Sequence, residues 1–280
     1  MIVNALVAAA GSGTRLGFDT PKAFVQLAGR TLLERSLDAL ADSERIDRAV
    51  VLVSPDMREA AEGLVADPIN RASWAGMSVS VALGGGERMD SVFAGLEELR
   101  RRGVTGSSLV AIHDAARCLV PPALIREVVD KAAEGVERQA WWGAVPVMPV
   151  TDTIKIVDEA TSGPADGETL LEQTPNRDTL RAAQTPQVCE LDALYEANLA
   201  YMRTTEISSA HASRQAGNQP LQLATDDASL LEMSGKRVVA VNGDLMAMKI
   251  TTPLDYRIAE MLLNSDSKDV NRGLCDGTPR

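Results

Sequence analysis

The sequence predicts an α/β protein with a Rossmann-like, mostly parallel sheet that is flanked by helices and carries a projecting β-arm. Short apolar runs alternate with segments of helical periodicity, the order expected of parallel strands joined by right-handed crossovers. Glycine-rich turns follow the first and third runs, at the strand ends where such sheets bind ligands. Two segments at 153–157 and 169–173, separated by a polar turn, predict the arm.

The elements are predicted in chain order from these patterns. The first strand is the apolar run at 2–10, and after it Leu32, Leu33, Leu37 and Leu40 recur every three or four residues, as in a core-facing helix. Further strands are expected within 48–55, 79–85, 108–117, 141–158 and 236–244. Further helices are expected at about 56–66, about 88–102, about 122–137, about 191–202, within 224–235 and after Lys249.

The length of the chain fits one large domain, which we expect to span 1–263. The β-arm occupies about 151–175, and because two paired strands with little core are marginal alone, it is expected to dock on a second subunit. The polar segment at about 204–220 is expected to be a mobile surface insertion. The pattern-free stretch at 264–280 is expected to be a disordered tail.

Composition excludes several functional classes. The net charge of −11 argues against a nucleic-acid binder, because phosphate backbones require basic surface. No apolar segment approaches the ~20 residues that span a bilayer, so no membrane association is expected. Cys118, Cys189 and Cys275 are scattered and lack metal-binding spacing, which indicates reduced thiols and a cytoplasmic protein.

The outlet of the first strand has the composition of a phosphate-binding site. Gly11 and Gly13 allow backbone N–H groups to approach an anion, and the cations Arg15 and Lys22 follow at short range. The spacing does not match a P-loop, which requires a Gly-Lys pair, or the dinucleotide fingerprint, which requires Gly or Ala where this chain has Leu16. A plain turn explains the glycines alone but not the cations beside them.

The outlets of the third and fourth strands hold further candidates. Arg88 and Ser91 lie three residues apart on one face of a helix that begins after three glycines, where N–H groups are unpaired. The alternative for Arg88 is an ordinary helix start with a solvated arginine. Asp114 follows an apolar run, where a carboxylate binds Mg²⁺ or a ribose hydroxyl. His113 is an acid–base candidate, but a structural role is favoured because phosphate attack needs no strong base.

Polar residues near the carboxyl end receive simpler interpretations. Thr225 is expected to cap a short helix whose first turn contains Asp226 and Asp227. These carboxylates are candidate metal ligands, but capping and the helix dipole explain them more simply. His211 lies inside the polar insertion and is assigned no chemistry.

The motif AAAGSGTRLG followed by PK, together with GGGERMDSV, HDAAR and the TPQ that follows Arg177, resembles the 2-C-methyl-D-erythritol 4-phosphate cytidylyltransferase family of non-mevalonate isoprenoid synthesis. The resemblance extends from about residue 3 to about residue 262, with an interruption near 204–220. It implies transfer of a cytidylyl group from CTP to a polyol phosphate, with Mg²⁺ as cofactor. It also implies a homodimer formed through the β-arm.

The resemblance implies roles for individual residues. Those carried over as catalytic are Arg15, Lys22, Arg177 and Lys249. Those carried over as substrate-binding are Ala9, Ala10, Gly11, Gly13, Gly85, Gly86, Arg88, Ser91, Asp114, Ala115, Arg117 and Thr153. Asp114 is also the implied metal ligand. Two alternatives stay open: the same chemistry on a pentitol phosphate such as ribitol 5-phosphate, and a nucleotide-binding protein of this fold without turnover.

Overall fold

The computed structural model describes residues 1–11, 16–18, 20–106, 108–158, 169–212 and 224–264, and for 205–212 it describes the backbone alone. The strands are β1 (Val3–Ala8), β2 (Gln26–Leu27), β3 (Arg30–Thr31), β4 (Arg48–Val53), β5 (Ser78–Leu83), β6 (Leu109–Asp114), β7 (Gly143–Pro149), β8 (Ile156–Val157), β9 (Leu171–Gln173), β10 (Arg181–Ala183), β11 (Gln187–Glu190) and β12 (Val238–Asn242). The helices are α1 (Leu32–Asp42), α2 (Arg58–Ala66), α3 (Pro68–Ser73), α4 (Arg88–Arg101), α5 (Pro122–Glu137), α6 (Leu191–Ala212), α7 (Asp227–Met233) and α8 (Pro253–Asn264). Among the helices in these ranges, none combines the length and apolar character that a bilayer crossing requires.

The main sheet has the spatial order β10, β7, β11, β6, β1, β4, β5, and β12 also pairs with β7. The pairs β1–β4, β1–β6, β4–β5 and β7–β12 are parallel. β11 is antiparallel to both β6 and β7, and β10 is antiparallel to β7. The predicted mostly parallel α/β sheet is therefore confirmed. Because the chain moves from β1 to β4 and β5 and only then to β6 on the other side of β1, the strand order reverses there, as at a ligand-binding switch point.

Helices cover both faces of the sheet because successive strand residues point to opposite sides. In β1, Ala5 and Val7 belong to a cluster that includes the buried residues of α1 and α5. Leu6, between them, belongs to a second cluster with residues of α4, α6 and α7. All three side chains are 0% exposed, so β1 is buried on both faces, as its nearly continuous apolar sequence predicted.

The predicted leucine stripe of the first helix lies in the core. Leu33, Leu37 and Leu40 are fully buried against the first of these clusters. The helix begins at a capping box, in which the side chain of Thr31 accepts from the N–H of Glu34 and that of Glu34 accepts from the N–H of Thr31. Side-chain oxygens thus satisfy N–H groups that the helix itself leaves unpaired.

The strands β10 and β11 were not predicted. They run antiparallel to β7 one after the other, with Ala183 opposite Val147 and Val188 opposite Ala144. Between them lies a cis Thr185–Pro186 peptide. Each strand is too short to show a clear alternation in sequence, so tertiary pairing decides its conformation.

The predicted β-arm is present as a separate two-stranded sheet. β8 and β9 pair antiparallel, with Ile156 opposite Gln173 and Val157 opposite Leu171, and they are shorter than the predicted 153–157 and 169–173. Large apolar side chains on the arm are exposed, among them Leu171 at 63%. The turn at 159–168 lies outside the described residues. An arm with so much exposed apolar surface has the character of an interaction site.

Two predictions at the carboxyl-terminal helices were wrong. α6 does not end near Met202 but continues to Ala212, into the segment expected to be a loop, because its polar residues still tolerate helical backbone. The rest of that insertion, and the tail after Asn264, lie outside the described residues. The N-cap of α7 is Asp226 rather than Thr225, since the Asp226 side chain accepts from the N–H of Ser229.

A third cluster joins the two ends of the chain. Leu27 and Leu32, beside the β2–β3 hairpin, pack with Ile250 and with Ala259 of α8. The hydroxyl of Tyr256 donates to the carbonyl of Gln26 at 2.7 Å. This packing holds the segment before α8 close to the outlet of β1.

The packing of α4 on the sheet predicts opposite effects for two helical glycines. A Cβ at Gly95 would lie 2.9 Å from both methyl carbons of Leu6 and 3.1 Å from a methyl of Leu52, whereas a Cβ at Gly63 of α2 would meet nothing within 4 Å. Overpacking lowers the free energy of unfolding by ~1–3 kcal/mol, whereas replacing a helical glycine by alanine raises it by only ~1 kcal/mol. We expect Gly95→Ala to lower the free energy of unfolding and Gly63→Ala to raise it. Urea unfolding measures both, and a stabilised Gly95→Ala variant would contradict this packing.

Candidate active site

A cleft of about 190 Å³ opens at the carboxyl ends of the central parallel strands. The outlets of β1, β5 and β6 meet there because Ala8 of β1 is in register with Asp114 of β6 and because β4 links β1 to β5. The residues that line it are Ala8, Ala9, Ala10, Gly11, Lys22, Ala23, Gly85, Gly86, Glu87, Arg88, Ser91, Asp114, Ala115, Ala116 and Lys249. The structure thus brings together most of the residues that the sequence analysis singled out.

The first glycine loop forms one wall of the cleft. The N–H of Ala9 donates to the carbonyl of Leu52 at 2.9 Å and continues the sheet, after which Ala10 and Gly11 line the cleft. Lys22, the first residue of a short 3₁₀ turn, lies on the same wall. Gly13 and Arg15 lie outside the described residues, so their predicted roles stay predictions.

The second glycine loop is shaped by close contact with the start of α4. A Cβ at Gly84 would lie 2.7 Å from the Ser91 hydroxyl, and a Cβ at Gly85 would collide with Asp90, so both positions require glycine. Ser91 donates to the carbonyl of Glu87 at 2.9 Å, and its oxygen accepts from the N–H of Gly85 at 3.0 Å. The buried Ser91 hydroxyl therefore holds the loop against the helix start.

Charged side chains meet around Asp114, whose side chain is 9% exposed. One carboxylate oxygen accepts from Arg88 Nε at 3.0 Å, and the other pairs with Lys249 Nζ at 2.7 Å. Arg88 also donates from Nη2 to the buried Asp227 at 2.7 Å. Arg88 is thus an ion-paired residue of the cleft wall and not the solvated helix-start arginine that was the alternative.

These contacts shift the pKa values of the charged groups in opposite directions. Although burial disfavours its charge, Arg88 and Lys249 hold the pKa of Asp114 well below its usual range. Burial also opposes the charge on Arg88, but Asp227 and Asp114 raise its pKa above the ordinary value. Both groups are therefore charged at neutral pH, and the cleft presents fixed charges to a ligand.

His113 has a structural environment, as the sequence analysis favoured. The ring is fully buried, and burial lowers its pKa to about 4, so it is neutral near pH 7. Its Nδ1 lies 3.1 Å from the hydroxyl of Thr185, which also accepts from the N–H of Asp114 at 3.1 Å. His113 and Thr185 together hold the backbone at Asp114. Thr185 was noted only as part of the TPQ motif and received no role; the pairing of β11 with β6 brings it here.

Lys249 is positioned by contacts to its neighbours in the chain. Arg117 donates to the carbonyl of Ala247 at 2.7 Å, and the N–H of Ile250 donates to the carbonyl of Ala116 at 2.9 Å. Arg117 also reaches the carbonyl of Ala183 at 3.2 Å. Arg117 does not line the cleft; its guanidinium instead ties the loop before α8 to the outlet of β6.

Thr153 and Arg177 are not brought to the cleft of their own chain. Both are exposed: Thr153 lies in the arm segment and Arg177 just after it, where Arg177 Nη1 donates to the carbonyl of Thr151 at 3.1 Å. Of the predicted catalytic residues that the structure describes, Lys22 and Lys249 therefore line the cleft and Arg177 lies at the arm.

Glu87 was not predicted, and Asp227 was predicted only as a residue of a first helical turn or a metal ligand, not as a partner of Arg88. Glu87 lines the cleft and forms a capping box with Asp90 at the start of α4. The glycines before the helix were a signal for Glu87, whereas nothing in the spacing links Asp227 to Arg88. Among the described residues, no group of three or more His, Cys, Asp or Glu side chains is arranged to hold a metal ion.

Comparison with known proteins adds independent evidence. The family model for 2-C-methyl-D-erythritol 4-phosphate cytidylyltransferase matches residues 3–265. The Corynebacterium jeikeium protein of that name is 63% identical over 267 residues, covering 94% of this chain and 97% of the relative. The Corynebacterium glutamicum protein of that name (strain ATCC 13032) is 45% identical, covering 93% of this chain and 92% of the relative.

Solved structures agree with the sequence comparison. The crystal structure of 2-C-methyl-D-erythritol 4-phosphate cytidylyltransferase from Thermus thermophilus is 30% identical to this chain, with a TM-score of 0.64, and the match covers 94% of this chain and 100% of that one. The family match spans every strand of the sheet and every outlet that forms the cleft. This chain belongs to the 2-C-methyl-D-erythritol 4-phosphate cytidylyltransferase family.

Proposed function

We propose that the chain transfers the cytidylyl group of CTP to 2-C-methyl-D-erythritol 4-phosphate, giving 4-diphosphocytidyl-2-C-methyl-D-erythritol and pyrophosphate for isoprenoid precursor synthesis. The observation that carries this proposal is the cleft, in which two glycine loops and Lys22, Arg88 and Lys249 surround Asp114. Backbone N–H groups and cations in one cleft suit a triphosphate and a phosphate monoester together.

The reaction forms one bond and breaks one bond at the α-phosphorus of CTP. An oxygen of the acceptor phosphate attacks the α-phosphorus in line, and the bond to the bridging oxygen breaks as pyrophosphate leaves with the electron pair. The phosphate monoester is already anionic near neutral pH, so the attacking oxygen needs no strong base. The neutral, buried His113 is consistent with this chemistry. The protein must therefore bring two anions together and stabilise the negative charge that develops at the α-phosphoryl group.

The cations of the cleft carry out that stabilisation. Lys22 and the amides of the first glycine loop neutralise charge at the α-phosphoryl group, and Arg15 is assigned the same role from the family resemblance. Lys249, paired with Asp114 at 2.7 Å, is assigned the acceptor phosphate from the family resemblance. Arg88 and the start of α4 line the same cleft and are assigned the selection of the base from the family resemblance.

Mg²⁺ is the proposed cofactor, with Asp114 as its protein ligand. An ionised carboxylate offers about four lone-pair sites, and the described contacts of Asp114 use two of them, one on each oxygen. The residues therefore fit an ion that takes one protein carboxylate and completes its coordination with substrate phosphates and water. When bound, Mg²⁺ would polarise the phosphoryl oxygens. The chain's own cations supply charge beside it.

The active assembly is proposed to be a homodimer in which each arm completes the partner's cleft. The arm exposes apolar side chains, including Ile156 at 41% and Leu171 at 63%, and such surface is typical of a docking site. Thr153 and Arg177, which the family resemblance assigns to the acceptor, lie beside this arm and outside their own cleft. A two-fold dimer would place them at the partner's Lys249 in two equivalent sites.

We place the enzyme in the cytoplasm, in keeping with the free thiols of Cys118 and Cys189.

The activity is tested directly by pyrophosphate release from the purified protein. We expect release with CTP and 2-C-methyl-D-erythritol 4-phosphate at a far higher kcat/KM than with ribitol 5-phosphate, UTP or ATP. EDTA should stop the reaction, and added Mg²⁺ should restore it. A preference for ribitol 5-phosphate would move the assignment to a pentitol phosphate, and absence of release with every acceptor would identify a binding protein without turnover.

Lys22→Ala is expected to lower kcat by ~10²–10³-fold, the effect of removing one preorganised group that stabilises transition-state charge. The Kd of CTP, measured by calorimetry, should change much less. Lys131→Ala is a matched control, because Lys131 pairs with Glu134 on α5, away from the cleft. A Lys22→Ala variant that turns over within a few fold of the wild type would contradict the assigned role.

The shared site predicts complementation between two inactive variants. Lys22→Ala and Arg177→Ala are prepared separately, dissociated, mixed equally and reassociated. Each mixed dimer then has one site with both lesions and one with neither, and because random pairing makes half of the dimers mixed, roughly a quarter of wild-type activity should return. If Arg177 acts in its own chain, every site keeps a lesion. Subunit exchange is verified first. If no activity then returns, the shared site is refuted.

A further inference from the structure

Asp227 is a buried acidic residue that lies behind the cleft. Its side chain is 1% exposed, and it does not line the cleft. Asp227 Oδ2 accepts from Arg88 Nη2 at 2.7 Å, across 139 residues of sequence. A fully buried carboxylate is costly unless it is paired, and the contact with Arg88 supplies that pairing. The capping role belongs to the neighbouring residue, Asp226.

The backbone that carries Asp227 is fixed from two sides. Asp226 accepts from the N–H of Ser229 at 2.9 Å, and its other oxygen accepts from Gln187 Nε2 at 2.7 Å. The Oε1 of Gln187 accepts from the N–H of Ala228 at 2.9 Å. Gln187 belongs to β11, so the first turn of α7 is held to the main sheet. Asp227 is therefore a rigid acceptor.

The guanidinium of Arg88 is held by two carboxylates at different positions. Nε donates to Asp114 at 3.0 Å and Nη2 donates to Asp227 at 2.7 Å. The remaining nitrogen, Nη1, is buried and has no hydrogen-bond partner among the described residues. A buried charged donor without a partner is unfavourable. Because Arg88 is one of the residues that line the cleft, an acceptor of a bound ligand would satisfy Nη1 on reaching it.

The two carboxylates have different consequences for the orientation of Arg88. Asp114 alone would allow the guanidinium to turn and pair through two of its three nitrogens with that one carboxylate, the common bidentate geometry. Such a turn would move Nη1 and would compete with Lys249 for Asp114. Asp227 prevents this by holding Nη2 on the far side.

We propose that Asp227 is a positioning residue for nucleotide recognition: it fixes the guanidinium of Arg88 so that Nη1 is presented to an acceptor on the nucleotide. The proposal rests on the proposed function, since it takes CTP as the ligand that Arg88 reads. It assigns part of the nucleotide selectivity to α7, an element that contributes no residue to the cleft lining.

The first experiment observes the guanidinium without any nucleotide. The Nε–H resonance of Arg88 in ¹⁵N–¹H spectra is identified from its loss in Arg88→Ala. In Asp227→Asn this resonance should shift strongly or broaden. Leu231→Ala is the control, because it removes a fully buried α7 side chain that makes no contact to Arg88 in the network described above. An Arg88 resonance unchanged in Asp227→Asn would overturn the proposal.

The second experiment is a double-mutant cycle on nucleotide binding, with Kd values for CTP and UTP from calorimetry in the absence of acceptor. Asp227→Ala should raise the Kd of CTP by roughly 10- to 100-fold, the range of a hydrogen bond to a charged group, and should reduce the preference over UTP. In the Arg88→Ala background the same change should have almost no further effect.

An equal loss of CTP affinity in both backgrounds would contradict the proposal, because Asp227 would then act independently of Arg88. A loss no larger than that in Leu231→Ala would identify a purely structural role. Failure of the proposed function appears separately, as wild-type protein that binds CTP but releases no pyrophosphate. In that case the cycle still decides whether Asp227 positions Arg88.

Discussion

The buried carboxylate of Asp114, held between Arg88 and Lys249, is the interaction around which the cleft is organised. Its partners come from the start of α4 and from the loop before α8, and Arg88 extends the contact to α7 through Asp227. Removing a charge from water is costly, and the cost is offset only when partners are close and well oriented. The position of one carboxylate therefore constrains elements that are far apart in the sequence.

The sheet explains why those elements meet. A parallel sheet places the outlets of its strands along one edge, and the reversal of strand order at β1 leaves an opening there between the loops of β1, β5 and β6. Helices on both faces bury most of the central strands β1, β4 and β6, so the polar groups open to a ligand lie at their outlets. Thr185 immediately precedes the antiparallel strand β11, and its hydroxyl accepts from the N–H of Asp114.

The electrostatics of the cleft differ from those of the whole chain. The protein carries a net charge of −11, yet Lys22, Arg88 and Lys249 meet around Asp114 in a single cleft. An anionic substrate is attracted by this local field and not by the overall charge. The exposed apolar arm is a separate feature, and its chemistry suits a second protein surface.

The sequence by itself determined the fold class, the order of the main strands and helices, and the local motifs at the strand outlets. Apolar periodicity and glycine placement are local signals, so α5 and β4 could be predicted nearly to their ends. Only the tertiary structure decided the short strands β10 and β11 and the pairing of Arg88 with Asp227. Those features depend on contacts between residues distant in sequence, and neither spacing nor composition records which buried charge will find which partner.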